Sequence, residues 1–275
     1  AAVEQVHQLV TFLVEHGVAV EARGRLSATT VLADAVRGAE FVFESITEDL
    51  EAKRALFGEL EALTGPQAVL CTNTSSLSVT EIAGGCRGEG ASRTMAAHFI
   101  GPAHLVPLVE LCPAQQTTGT DAADGPVARV HRFLASAGKR PVVLKREIQG
   151  FIAARLQAAL YRECLHLHQS GVADCAAIDR AVSDGFGRRL NQIGPFQQAD
   201  FAGVDLVQRT HASFFPQLGR YERDVRADQL VDEGRLGAKT LRGHYDWTAE
   251  SLKEVTGRRD AELLRRLKED VAARL

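Results

Sequence analysis

Short apolar runs alternate with stretches of helical periodicity through the first half of the chain, and after Gly150 the short runs stop. Phe41-Val42-Phe43, Ala68 to Cys71, Thr94 to Ala97, Pro107 to Leu111 and Pro141 to Leu144 are each too short for a helix and read as strands. Between the first two, Leu50, Lys53, Leu56, Phe57, Leu60 and Leu63 keep helical spacing, with Asp49 as N-cap and Gly65-Pro66 as terminator. Ser78-Val79-Thr80-Glu81 offers a capping box for a further helix that Gly84-Gly85 closes, and another helix spans Asp124 to Ala137. Such alternation specifies a doubly wound α/β sheet. Ahead of it lie an amphipathic helix from Val3 to His16, a polar connection, and a short helix around Thr30 to Arg37.

The second half reads as all-helical. Phe151, Ile152, Leu156, Leu160, Cys164 and Leu167 mark a long helix ending at Gly171. Further helices are expected from Asp174 to near Gly185, Phe196 to Phe214, Tyr221 to Glu233 and Arg258 to Ala273. The domain boundary falls near Lys145 to Gln149, which divides the chain into 1–146 and 147–275.

Charge excludes two classes of partner. Lys and Arg total 32 against 35 Asp and Glu, with no block of one sign, so neither nucleic acid nor an anionic membrane has an electrostatic footprint. Met95 to Val109 is free of formal charge but holds Gly101, Pro102 and Pro107 and falls short of the roughly 18 residues of a membrane span. A small-molecule partner is expected. The five cysteines contain no Cys-x-x-Cys pair, and Ala1-Ala2-Val3-Glu4 is no signal-peptide start, which together read as reduced thiols in the cytoplasm.

Few residues could carry chemistry. His98 follows one expected strand and Glu110 lies at the end of another; neighbouring strands would bring imidazole and carboxylate together as an acid–base dyad. A buried histidine beside a surface glutamate fits the same spacing. Ser75, with Asn73 and Thr74, lies where a parallel strand gives way to a loop, the place where open α/β sheets bind ligands, although the same residues serve as turn and helix cap. Glu44, at the end of the first strand, carries the same two readings. A Ser–His–Glu hydrolase triad lacks its Gly-x-Ser-x-Gly elbow, since Ser75 lies in Asn73-Thr74-Ser75-Ser76-Leu77. His166 and His168 point to different sides of a helix, so no metal site is expected. Gly84 to Gly90 is glycine-rich but lacks the Gly-x-Gly-x-x-Gly spacing.

Taken together the segments resemble the 3-hydroxyacyl-CoA dehydrogenase superfamily, which includes lambda-crystallin (L-gulonate 3-dehydrogenase) and carnitine dehydrogenase. The matching pieces are Phe43-Glu44-Ser45-Ile46-Thr47-Glu48-Asp49-Leu50 with Lys53, Thr72 to Leu77, and His98-Phe99-Ile100-Gly101-Pro102 through Glu110. In the second half they are Gln149-Gly150-Phe151-Ile152 with Arg155-Leu156, Asp184 to Gly187 with Gly194-Pro195-Phe196, and Lys239-Thr240 with Gly243 to Trp247. The resemblance implies a Rossmann-like sheet followed by a helical substrate and dimerisation domain, and NAD-dependent oxidation of a 3-hydroxyacyl-CoA or related 3-hydroxy acid to the 3-keto compound. It makes His98 the general base, Glu110 its orienting partner and Ser75 a donor to the substrate's 3-oxygen. It places Glu44, Asp49, Asn73 and Lys239 around the nicotinamide and its ribose, and it implies a homodimer.

Departures from the family pattern give a second expectation, a non-catalytic relative of the lambda-crystallin kind. A strand, a Gly-x-Gly-x-x-Gly turn and a second strand, roughly forty residues in all, usually precede the matched segments, so the sheet is expected to be truncated at its amino end and to hold NAD weakly. Ala154 stands where the family has an active-site Asn, Gly101 where many members have Asn, and Leu241 where many have Gly. His104-Leu105-Val106-Pro107-Leu108 leans towards the lambda-crystallin and carnitine branch.

Overall fold

The structure, a computed structural model, describes residues 2–18 and 25–273. The polar connection expected after the first helix lies partly outside them. The chain divides into two compact units: residues 1–154 with 255–275, and residues 155–254.

In the first unit the elements run α1 (Ala2–Glu15), α2 (Leu32–Ala35), β1 (Phe41–Glu44), α3 (Leu50–Leu63), β2 (Val69–Thr72), α4 (Val79–Ala83), β3 (Thr94–Phe99), β4 (Leu108–Pro113), α5 (Pro126–Ser136) and β5 (Arg140–Val143). Every strand lies within two residues of its expected place. Asp49 and Ser78 cap α3 and α4, accepting from the N–H groups of Ala52 and Glu81. Gly17, at φ 71°, ends α1 in the left-handed conformation that a residue without Cβ adopts at little cost.

The five strands form one sheet in sequence order, parallel except where β3 meets β4. The exception has a simple cause. Only residues 100–107 join β3 to β4, too few for the crossover that a parallel pair requires. The antiparallel register sets His98 directly opposite Glu110.

Period-two alternation sorts the strand residues to two cores. Val69, Cys71, Met95, Ala97, Val109 and Leu111 face Val127, Val130 and Leu134 of α5. On the other side Leu70 packs with Phe57, Leu60 and Ile82, while Ala96 and Cys112 pack with Val79, Ala83 and Phe151. Burying each large side chain contributes about 1.5–3 kcal/mol, and both faces of β2 are covered, which explains its unbroken apolar sequence.

The second unit contains α6 (Ala153–Gln169) from its third residue on, α7 (Cys175–Arg180), α8 (Pro195–Ala202), α9 (Val204–Phe214) and α10 (Val225–Asp232). One helix was expected over 196–214. Gly203, at φ 93°, breaks it in two. The last helix, α11 (Ala249–Ala272), begins nine residues before its expected start, because Thr248 and Ser251 cap each other reciprocally and Gly257 is accommodated inside it. Leu263, Leu264, Leu267 and Val271 on α11 pack with Phe12 and Leu13 of α1, and Arg140 binds Asp270 at 2.6 Å. No described helix is long and apolar enough to cross a membrane, and no described group of three or more side chains could hold a metal ion.

Candidate active site

Across the β3–β4 ladder, His98 Nδ1 lies 2.9 Å from Glu110 Oε2, and Nε2 lies 3.1 Å from Ser75 Oγ. Both His98 and Glu110 are buried, while Ser75 is exposed. Glu110 Oε1 accepts the backbone N–H groups of Ile152 and Ala153, each at 2.9 Å. A carboxylate has only acceptors, so these partners assign the imidazole its tautomer: Nδ1–H donates to Glu110 and Nε2 accepts from the serine hydroxyl. The three residues form one hydrogen-bonded chain from a buried anion to an exposed hydroxyl.

The turn that delivers those two N–H groups is strained. Gly150 adopts φ 77° and Phe151 φ 47°, and a bulky residue in the left-handed region pays a steric cost. Burial of the Phe151 ring, 5.4 Å from the His98 imidazole, offsets it.

Ser75 is placed by a carboxylate that composition and spacing did not single out. Glu48 Oε1 accepts from Thr74 Oγ1 (2.6 Å), from the backbone N–H groups of Ser75 (3.0 Å) and Ser76 (3.1 Å), and from Ser76 Oγ (3.1 Å). Partial burial works against the Glu48 charge, but these hydrogen bonds outweigh it and hold the carboxyl at about 2. At the loop's other end Glu147 accepts the N–H groups of Val79 and Thr80 and the Thr80 hydroxyl, closing the first turn of α4. The signal that could have found Glu48 is its place four residues after a strand-end glutamate and five before Lys53, one helical turn into α3.

Glu44 is buried and fully engaged. Its Oε1 accepts Lys53 Nζ and Ile46 N–H, both at 2.7 Å, and Oε2 accepts Thr72 Oγ1 at 2.7 Å. Lys53 also lies 3.5 Å from Glu48, so one buried ammonium links the strand-end carboxylate to the loop carboxylate. Asp49 caps α3. Asn73 accepts the Phe99 N–H through Oδ1 at 2.8 Å, which leaves its amide N–H groups without a partner among the described residues. Lys239 belongs to the second unit, where it borders a hollow with Arg235 and His244. The structure thus brings Ser75, His98 and Glu110 into contact, gathers Glu44, Asp49 and Asn73 at the ends of β1 and β2, and sets Lys239 on a separate unit.

The profile described as 3-hydroxyacyl-CoA dehydrogenase, NAD binding domain, matches residues 2–148, and that of the C-terminal domain matches residues 150–247. The 5-formyl-3-hydroxy-2-methylpyridine 4-carboxylate 5-dehydrogenase of Mesorhizobium japonicum is 28% identical over 244 residues, 88% of this chain and 76% of that protein. The L-carnitine dehydrogenase of Streptomyces coelicolor is 38% identical over 179 residues, 65% of this chain and 54% of that protein, so the match spans about half of its length. A crystal structure of 5-formyl-3-hydroxy-2-methylpyridine 4-carboxylic acid 5-dehydrogenase, an NAD+ dependent dismutase, superposes with TM-score 0.87 at 26% identity, over 98% of this chain and 87% of that one. The chain belongs to the 3-hydroxyacyl-CoA dehydrogenase family of NAD-dependent oxidoreductases. The strand ends offer the donors that a nicotinamide carboxamide or ribose oxygen would need: the open Asn73 amide lies next to the exposed Ser75 hydroxyl, with the buried His98 behind that hydroxyl.

Proposed function

We propose that the chain oxidises a secondary alcohol at the carbon β to a carboxyl or thioester group, a 3-hydroxyacyl-CoA or a free 3-hydroxy acid, to the ketone. His98 Nε2 takes the hydroxyl proton as the C3–O bond becomes a carbonyl. Glu110 keeps Nε2 unprotonated beforehand by fixing the proton on Nδ1, and stabilises the imidazolium afterwards. Ser75 Oγ donates to the 3-oxygen, a role that needs its loop held where Glu48 holds it. NAD, when bound, accepts the hydride leaving C3. Asn73 would hold its nicotinamide end, and Glu44 and Asp49 support that end by fixing the strand end and α3; Lys239 is assigned to the cofactor by the family resemblance alone.

The observation that carries this reading is the unbroken chain Ser75–His98–Glu110, anchored by two backbone N–H groups. It also favours an enzyme over a non-catalytic relative, in which nothing would require a buried carboxylate to orient an imidazole towards an exposed hydroxyl. The test is NADH formation with 3-hydroxybutyryl-CoA, free 3-hydroxybutyrate and L-carnitine. His98→Ala should lower turnover about 10²–10⁴-fold with whichever substrate the parent accepts; undiminished turnover would refute the assignment.

The helical unit supports pairing with a second copy. Phe196 and Phe201 are 87% and 83% exposed on α8, and Val204 and Leu206 are exposed on α9, more contiguous apolar sequence than a monomer usually leaves in water. Light scattering after size exclusion at micromolar concentration should give twice the chain mass. The five free cysteines accord with a reducing, cytoplasmic setting.

A further inference from the structure

The second unit carries an open hollow of about 290 Å³ between α6, α7 and the turn that carries residues 237–247. Four of its polar side chains are paired with one another. Tyr161 Oη lies 2.8 Å from His244 Nε2, and Tyr245 Oη donates to Asp179 Oδ2 at 2.7 Å. The floor is apolar, formed by the buried Leu165 and Ile178. With both phenols, His244 and Asp179 already engaged, the hollow offers a ligand chiefly ring surface, aliphatic surface and one carboxylate.

That charge is negative. Asp179 borders the cavity, and no lysine or arginine does. Burial first, and Arg226 second, hold the His244 imidazole below its ordinary range, so both work against a positive charge on it. The rings are walls and not a stack: Tyr245 and Trp247 are inclined at 57° with centroids 5.5 Å apart, and Tyr161 and His244 at 78° with centroids 6.0 Å apart. A cation that brings no hydrogen-bond donor meets the electron-rich faces of such rings without having to displace an existing hydrogen bond.

From this lining we infer that the second unit holds a binding site for a quaternary alkylammonium group, with Tyr161, Tyr245 and Trp247 as its aromatic walls and Asp179 as its counter-charge. The cavity is large enough for a trimethylammonium head and part of its chain. Every lining residue lies within 155–254, so the site is complete in that unit and does not depend on Ser75, His98 or Glu110.

The chain's single tryptophan is Trp247, which makes its fluorescence a local reporter. The probes are choline and its uncharged isostere 3,3-dimethylbutan-1-ol, titrated against the full chain by fluorescence and calorimetry. Choline should change Trp247 emission saturably and bind about tenfold more tightly than the alcohol. Asp179→Asn, which keeps an acceptor for Tyr245, should weaken choline severalfold and leave the alcohol unchanged. Tyr245→Phe retains the ring and frees the Asp179 carboxylate, so it should retain choline binding. Equal affinity for the two probes would make the cavity merely apolar and overturn the proposal, as would an absence of saturable binding by choline or its loss in Tyr245→Phe.

Discussion

Glu110 binds His98 through one carboxylate oxygen and the backbone of Ile152 and Ala153 through the other. The carboxylate therefore does two jobs that substitution can separate. Glu110→Gln keeps the size and one acceptor oxygen but replaces the anion behind the imidazole. Turnover should fall by roughly one to two orders of magnitude, with the pH–rate profile displaced from that of the parent. Glu110→Ala should in addition destabilise the fold, because two N–H groups lose their acceptor, by about 1–3 kcal/mol each. A Gln variant whose pH–rate profile overlays the parent's would remove Glu110 from the mechanism.

Acid should loosen the Ser75 loop before it unfolds the sheet. The Glu48 carboxyl is held at about 2 in the folded chain against an ordinary value of 4.5. A depressed carboxyl contributes stability that is complete above the unfolded value and is lost as pH falls through the folded one. Glu48→Gln should therefore differ from the parent by a constant amount above about pH 5. The difference should shrink steadily towards pH 2, read from urea midpoints at several pH values. A difference independent of pH across that window would mean that the Glu48 charge contributes nothing.

Lys53 and Glu44 form an ion pair whose side chains are 1% and 0% exposed. Lys53→Met leaves the Glu44 charge buried with only Thr72 and Ile46 to answer it, and should cost about 3–5 kcal/mol. The double variant Lys53→Met with Glu44→Gln removes both charges and should recover more than half of that loss, a coupling that a double-mutant cycle by denaturant unfolding will show. Additive losses would mean that the two residues act independently.

Leu241 adopts φ 57°, a conformation that costs a side chain about 1–2 kcal/mol. Leu241→Gly should raise the melting temperature, by about 2–4 °C for each kcal/mol of net gain in a chain of this size. Leu241→Ala, which keeps its Cβ and hence the strain, should not. Equal effects of the two substitutions would place the cost in the leucine side chain and not in the backbone.

The strands were legible because each is a short apolar run bounded by turn residues, and the caps at Asp49 and Ser78 because short polar side chains announce helix starts. His98 and Glu110 were legible as a pair of strand ends, although only the eight-residue connection between β3 and β4 explains why they face each other in antiparallel register. Glu48 and Glu147 were not legible. Glu48 acts on backbone N–H groups 27 and 28 residues away and Glu147 on ones 67 and 68 away, and periodicity carries no information about contacts of that range. Gly203 and the start of α11 were missed for a different reason. A glycine stops a helix only when its neighbours offer no alternative: Gly203 does so at positive φ, whereas Gly257 continues α11.

The pairing of α1 with α11 also sets a timetable for biosynthesis. Phe12 and Leu13 find their partners on a helix translated about 240 residues later, which at ordinary elongation rates is a wait of roughly 12–50 s. The first unit thus cannot complete its packing while the chain is growing, even though its sheet residues have all been made by Val143. During that interval the apolar face of α1 has little of its final cluster beyond Leu105 to cover it, which makes this helix the first place to look for aggregation when synthesis is slowed.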